Sequence, residues 1–155
     1  MICKKIGIDF HGVLNTNPSF FRDFCHQAIN RNIEIHLISG GPRETIAEFA
    51  QMNSIKYTKL WCIFDYFNAK NEVKFLPDGS FHVDDENWNK AKAQYCLKNN
   101  INVQIDDSHI YKRYFITPYC LYDEHSKTGI INGEMINFSH SAKLCLEKIC
   151  DAVSR

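Results

Sequence analysis

The segment that most constrains this chain is Ile6-Gly7-Ile8-Asp9-Phe10-His11-Gly12-Val13-Leu14, a short apolar run that ends on a carboxylate and turns at once through glycine. Such a run suits a buried strand of a parallel sheet. A carboxylate at its end lies at the carboxyl edge, where open α/β folds build their ligand crevices. Asp9 is therefore the first residue that asks for an explanation.

The rest of the chain repeats this plan. Residues 4–9 form the first strand; Asn17 can cap a helix with Pro18 at its first position and Phe20, Phe24 and Ala28 along one face, ending near Asn32. Ile33 to Ile38 is a second strand, which leads into Ser39-Gly40-Gly41-Pro42 and a second amphipathic helix marked by Ile46, Phe49 and Ala50. Leu60-Trp61-Cys62-Ile63-Phe64 suits a buried strand or a helix equally, and a third strand is expected near 56–63. The turn sequence Pro77-Asp78-Gly79-Ser80 predicts a hairpin over 73–83, outside the main sheet. A helix then opens at Asp84 or Asp85 and runs to about Lys98, and a strand over 101–105 ends on Asp106-Asp107. A further strand lies between Phe115 and Leu121, and Ser139 or Ser141 caps a C-terminal helix carrying Leu144, Ile149 and Val153. This alternation predicts an α/β, Rossmann-like fold over residues 1–155, a mainly parallel sheet with helices on both faces. At 155 residues and 45% hydrophobic side chains the chain can bury one sizeable core but hardly two.

Composition excludes some function classes. Eighteen acidic residues against eighteen basic ones leave no global field to draw the protein to anionic surfaces, so nucleic acid is not favoured as a partner. No stretch approaches a membrane span, and the N-terminus has no cleavable leader pattern. Seven scattered cysteines without a Cys-x-x-Cys pair fit reduced, mostly buried thiols in a cytoplasmic protein.

Four separated segments carry the chemistry. Asp9 follows the first strand, Ser39-Gly40-Gly41 the second, Lys90 and Lys92 lie in a later helix, and Asp106-Asp107 follow the next strand. In this order they resemble the motifs of the haloacid-dehalogenase-like superfamily, mostly magnesium-dependent phosphatases with an aspartate nucleophile. The first signature there is Asp-x-Asp-Gly-x-Leu/Ile/Thr, whereas this chain reads Asp9-Phe10-His11-Gly12-Val13-Leu14. The resemblance covers about residues 4–108 and implies that the first strand is central, between the second and the fourth.

It also implies roles. Asp9 would attack phosphorus to form an aspartyl-phosphate, splitting hydrolysis into two easier steps. Mg2+ would be held by the Asp9 carboxylate, the backbone carbonyl of His11 and Asp106 or Asp107 or both. Ser39, Gly40 and Gly41 would hold phosphoryl oxygens at a helix start; Arg43 could add a guanidinium or be a solvated first-turn residue. Lys92, fourteen residues before Asp106, has the spacing of the charge-neutralising lysine, with Lys90 in reserve.

Blander roles compete. Asp106-Asp107-Ser108 could simply turn the chain and cap the next helix, and Ser39 could be only a cap. Among the remaining histidines no pair has metal-ligand spacing, although His109 could join His11 and the acids around a transition metal.

His11 stands where the family has its acid/base aspartate. It can take over both proton transfers near neutral pH, mark a catalytically impaired protein that binds a phosphorylated ligand or a protein partner, or signal altered chemistry or metal choice. Only about twenty residues separate Gly12 from the second strand, so the site is expected to be capless or covered by the small hairpin. An open site admits bulky phosphorylated substrates, unless a second copy in a homo-oligomer closes it.

Overall fold

The computed structural model describes residues 2–154. In chain order the elements are β1 (Lys5–Ile8), α1 (Pro18–Asn30), β2 (Glu34–Ser39), α2 (Arg43–Met52), β3 (Lys59–Cys62), α3 (Ile63–Ala69), β4 (Lys74–Phe75), β5 (Phe81–His82), α4 (Asp85–Lys98), β6 (Val103–Asp106), α5 (His109–Lys112), β7 (Tyr119–Asp123), β8 (Thr128–Ile131), β9 (Glu134–Asn137) and α6 (Ala142–Val153). Seven strands form one sheet in the order β3-β2-β1-β6-β7-β8-β9, and β4 pairs only with β5. Pairing is parallel from β3 through β7 and antiparallel from β7 to β9. The fold is thus α/β with a mostly parallel central sheet, and β1 lies between β2 and β6.

Strand alternation sorts side chains to two faces. Ile6 and Ile8 of β1, Ile35 and Leu37 of β2, and Val103 and Ile105 of β6 join the main core with Phe21 and Phe24 of α1, Ile46 of α2 and Ile149 of α6. The opposite face carries Gly7, His36, Gln104 and Tyr119, which are cross-strand neighbours in one row. Helix α4 lies on this second face, where Cys96 packs with Ile38 and Ile101. His36 is buried there and bonds Tyr95 Oη at 2.7 Å and Glu34 Oε1 at 2.8 Å.

Caps set several boundaries as the sequence suggests: Asn17 accepts from Phe20 N–H, Asp84 from Asn87 N–H and Ser141 from Leu144 N–H. The ambiguous 60–64 segment is both things in turn, since β3 ends at Cys62 and α3 begins at Ile63. Two expectations need correction. The strand placed between Phe115 and Leu121 runs over Tyr119–Asp123, beginning just after Pro118, because proline has no N–H to offer a sheet. In α6 Leu144 is 58% exposed, and the buried stripe is instead Cys145, Ile149 and Ala152, with Leu146 and Val153 beside it. The β8–β9 hairpin was not anticipated. Its signal is Asn132-Gly133, two residues with φ of 50° and 81° joining paired Ile131 and Glu134, the backbone of a type I′ turn.

The seven cysteines are free thiols, six of them buried. Among the described residues no helix is long and apolar enough to cross a membrane.

Candidate functional site

Register brings the acids together. In the parallel β1–β6 pair Ile8 stands opposite Ile105, so Asp9 and Asp106, one step further on, emerge side by side at the carboxyl edge; Asp9 N–H donates to Ile105 O at 2.9 Å. One carboxylate oxygen each from Asp9, Asp106 and Asp107 lies within 4.8 Å of the others. That spacing is within the reach of a single hard cation.

Lys92 comes down from α4 into this edge and is 2% exposed. Its ammonium donates to Asp9 Oδ1 at 2.9 Å and to Asp106 Oδ2 at 2.8 Å. Lys90, two residues away and therefore on another side of the helix, lies beside Tyr66, Asn87 and Gln94, outside the acidic cluster.

The acids are also held by neighbours. Asp106 Oδ2 accepts from Gln104 Nε2 at 3.1 Å and its Oδ1 from Ser108 N–H at 3.2 Å. Gln104 lies over Gly7, where a Cβ would occupy the space of the amide oxygen. Asp9 Oδ1 accepts the Phe10 N–H at 2.9 Å, and Asp9 O and Phe10 O close the following turn with Leu14 N–H and Asn15 N–H. Gly12, with φ of 85°, passes so close to Asp107 that a Cβ would collide with its carboxylate. The glycine of the first segment is thus explained by contact as well as by turn geometry.

Charge is unbalanced here. Burial pushes the Asp9 carboxyl up to about 8, with Lys92 opposing the rise and Asp106 and Asp107 adding to it. Asp107 is raised as well, first by burial and then by Asp106. Burial alone would lower the Lys92 pKa, but the attraction of Asp9 and Asp106 outweighs it and the net shift is upward. Once all three are ionised, the carboxylates facing one ammonium leave two negative charges for a cation to meet, and the donors are all hard oxygens. Both features fit a hard metal cation.

Asp9, Lys92 and Asp107 line a cleft of about 710 Å³, with Asp106 buried behind them, and its walls include His11, Gly40, Gly41, Pro42 and Ser108. His11 is exposed at its rim, and Nε2 lies 3.2 Å from Gly41 O. Ser39 is fully buried below the wall, and its Oγ accepts from Gly41 N–H at 3.4 Å. Arg43 is not part of the cleft: its guanidinium donates to Leu60 O at 2.7 Å on another side of the molecule. His109 does not line it either, while Ser108 caps α5 by accepting from Tyr111 N–H at 3.0 Å. The capping role and the metal-ready role of the Asp106–Ser108 segment coexist, because different side chains supply them.

Gln104 escaped the sequence reading, as did Phe64, Phe81, Trp88 and Tyr111 of the cleft wall. A polar residue between Val103 and Ile105 was the available signal for Gln104; the aromatic residues come together only through the folded hairpin. No model of a known protein family matches the chain, and no curated protein matches its sequence.

Proposed function

We propose that this protein is a magnesium-dependent phosphomonoester hydrolase of the haloacid-dehalogenase-like type, with Asp9 as nucleophile. The reading is supported most by the Lys92 bridge between Asp9 and Asp106, with Asp107 in reach of the same ion, at the floor of an open cleft. A bound Mg2+ would be held by Asp9, Asp106, Asp107 and the His11 carbonyl, and would neutralise charge on the phosphoryl oxygens. Among the described residues no hydrogen bond takes that carbonyl.

The side chains then divide the work. An Asp9 oxygen attacks phosphorus while the bond to the ester oxygen breaks, giving an aspartyl-phosphate and an alcohol. His11 gives its proton to the leaving oxygen and takes one from the water that attacks the aspartyl-phosphate, releasing inorganic phosphate and restoring Asp9. Lys92 holds Asp9 in place and offsets the charge that accumulates at phosphorus. The Gly40–Pro42 turn supplies the wall beside the phosphoryl group, next to the start of α2, where no side chain caps the first turn.

A second reading, a phosphoryl-binding protein without turnover, draws on one observation. The His11 Nε2 proton points at Gly41 O, so proton transfer requires Nδ1 or a turn of the ring. Trapping separates the two. Incubation with phenyl phosphate and Mg2+ followed by hydroxylamine should mark the peptide containing Asp9, and the mark should vanish in Asp9→Asn. Turnover without a mark on that peptide, or turnover that survives Asp9→Asn, would contradict the proposal.

A further inference from the structure

The cleft above the acids is walled by aromatic rings, two of them on an exposed hairpin. Phe75 and Phe81 belong to a hairpin of two-residue strands and are 62% and 43% exposed, although they are large apolar side chains. The base of the hairpin is anchored by Val73 and Val83 against Ile63, Phe67 and Ala91. Its tip is closed by Asp78, whose Oδ1 accepts Ser80 N–H at 3.0 Å. The hairpin therefore does not require its two phenylalanines for these anchors, yet both line the cleft.

The rings form a continuous arc that ends at the site. Phe75 meets Phe64 at 6.3 Å between centroids, Phe64 meets Phe81 at 4.8 Å, and Phe81 meets Trp88 at 5.8 Å. Trp88 Nε1 donates to Tyr111 Oη at 3.1 Å, and the Tyr111 ring lies 4.9 Å from the Lys92 ammonium that bonds Asp9. The Tyr111 hydroxyl accepts from Trp88 and keeps its own proton for a ligand. Lys92 is the one Lys or Arg among the described residues that line this cleft, and its charge is already shared between two acids.

We infer that the ligand is a monophosphate ester whose organic part carries a flat aromatic ring, the phosphoryl group lying against Asp9 and Lys92 and the ring along Trp88 and Phe81. This rests on the phosphatase reading and names its substrate class. Stacking and edge contacts reward a ring over an aliphatic body of equal charge. A polyphosphate or a nucleic-acid backbone would need further cations that this cleft lacks. The volume is that of a small-molecule site.

Binding of non-hydrolysable phosphonates tests this without turnover. With Mg2+ present, calorimetric titration should show phenylphosphonate binding about tenfold or more tightly than methylphosphonate. Phe81→Ser should remove most of that preference and Phe75→Ser, further along the arc, a smaller part of it; both are at exposed hairpin positions and should leave methylphosphonate binding unchanged. Competition against phenylphosphonate by 4-phosphonomethyl-phenylalanine and by the 5′-methylenephosphonate analogue of adenosine 5′-monophosphate, neither of which can be hydrolysed, then tells whether the ring is joined directly to the phosphoryl group or through a sugar; displacement by either one supports the inference. Equal affinity for the two phosphonates, or a preference that survives both substitutions, would overturn it and leave the phosphatase reading standing. Failure of both phosphonates to bind would overturn the two together.

Discussion

Replacing Lys92 with methionine keeps the length and packing of the side chain and removes its ammonium from between two carboxylates. Lys92, Asp9 and Asp106 are 2%, 5% and 0% exposed, so solvent screens little of the loss. Removing one partner of a buried pair costs about 3–5 kcal/mol, because the remaining charge is stranded. For a chain of this length that corresponds to a fall in Tm of roughly 6–20 °C. The effect should depend on pH in a defined direction. Lys92 opposes the rise that burial imposes on the Asp9 carboxyl, so removing the ammonium pushes that carboxyl further above its ordinary 3.8. The folded variant then binds more protons than the folded wild type around and above pH 8, where the wild-type Asp9 carboxyl ionises, so the deficit grows as pH rises through that range and shrinks below it. Adding Asp106→Asn to Lys92→Met should recover part of the loss, since one stranded charge is gone. Urea denaturation across pH, in metal-free buffer, measures all of this. A loss under about 1 kcal/mol, or one that does not change with pH, would refute the assignment of a buried, bridging lysine.

Other perturbations have equally definite outcomes. Gly12→Ala places a Cβ at φ of 85° against the Asp107 carboxylate, so it should cost about 1–2 kcal/mol in denaturation and weaken Mg2+ binding in calorimetry. Because the metal-free Asp9 carboxyl is pushed up to about 8, Mg2+ must displace a proton. Its apparent affinity should therefore rise with pH, by about tenfold per unit below that value, and level off above it. Burial, partly offset by the bond to Glu34, holds His36 below its ordinary 6.5. The unfolded chain then takes up the proton first, so the stabilisation by the neutral ring is complete above about pH 6.5 and is lost as pH falls below it. The stability difference between wild type and His36→Asn, read from urea midpoints, should shrink over that interval.

The parallel core was readable because β1, β2 and β6 are short apolar runs ended by polar residues, a pattern that leaves few alternatives. Asp9, Lys92 and the Asp106-Asp107 pair were readable because their order along the chain resembles that of the haloacid-dehalogenase-like motifs. Lys92 was preferred to Lys90 because its spacing to Asp106 resembles the family pattern, and the structure brings Lys92 alone of the two to the acids. What stayed hidden depends on tertiary contact. Arg43 looked available for a phosphoryl group, but the carbonyl that holds its guanidinium belongs to Leu60, a residue seventeen positions away. Gln104 gains its meaning from the row it shares with Gly7 and from Asp106, and the aromatic arc exists only once the hairpin folds back against Phe64 and Trp88. The Asn132-Gly133 turn is different in kind: it was a local signal, legible and passed over.

Phosphate release from phenyl phosphate, followed in parallel for the wild type with Mg2+, the wild type with chelator, and Asp9→Asn with Mg2+, bears most directly on the central claim. Turnover is expected in the first alone, with His11→Ala slower by about two to four orders of magnitude and its Mg2+ affinity intact. Turnover in Asp9→Asn at the wild-type rate, or turnover unaffected by chelation, would contradict that claim.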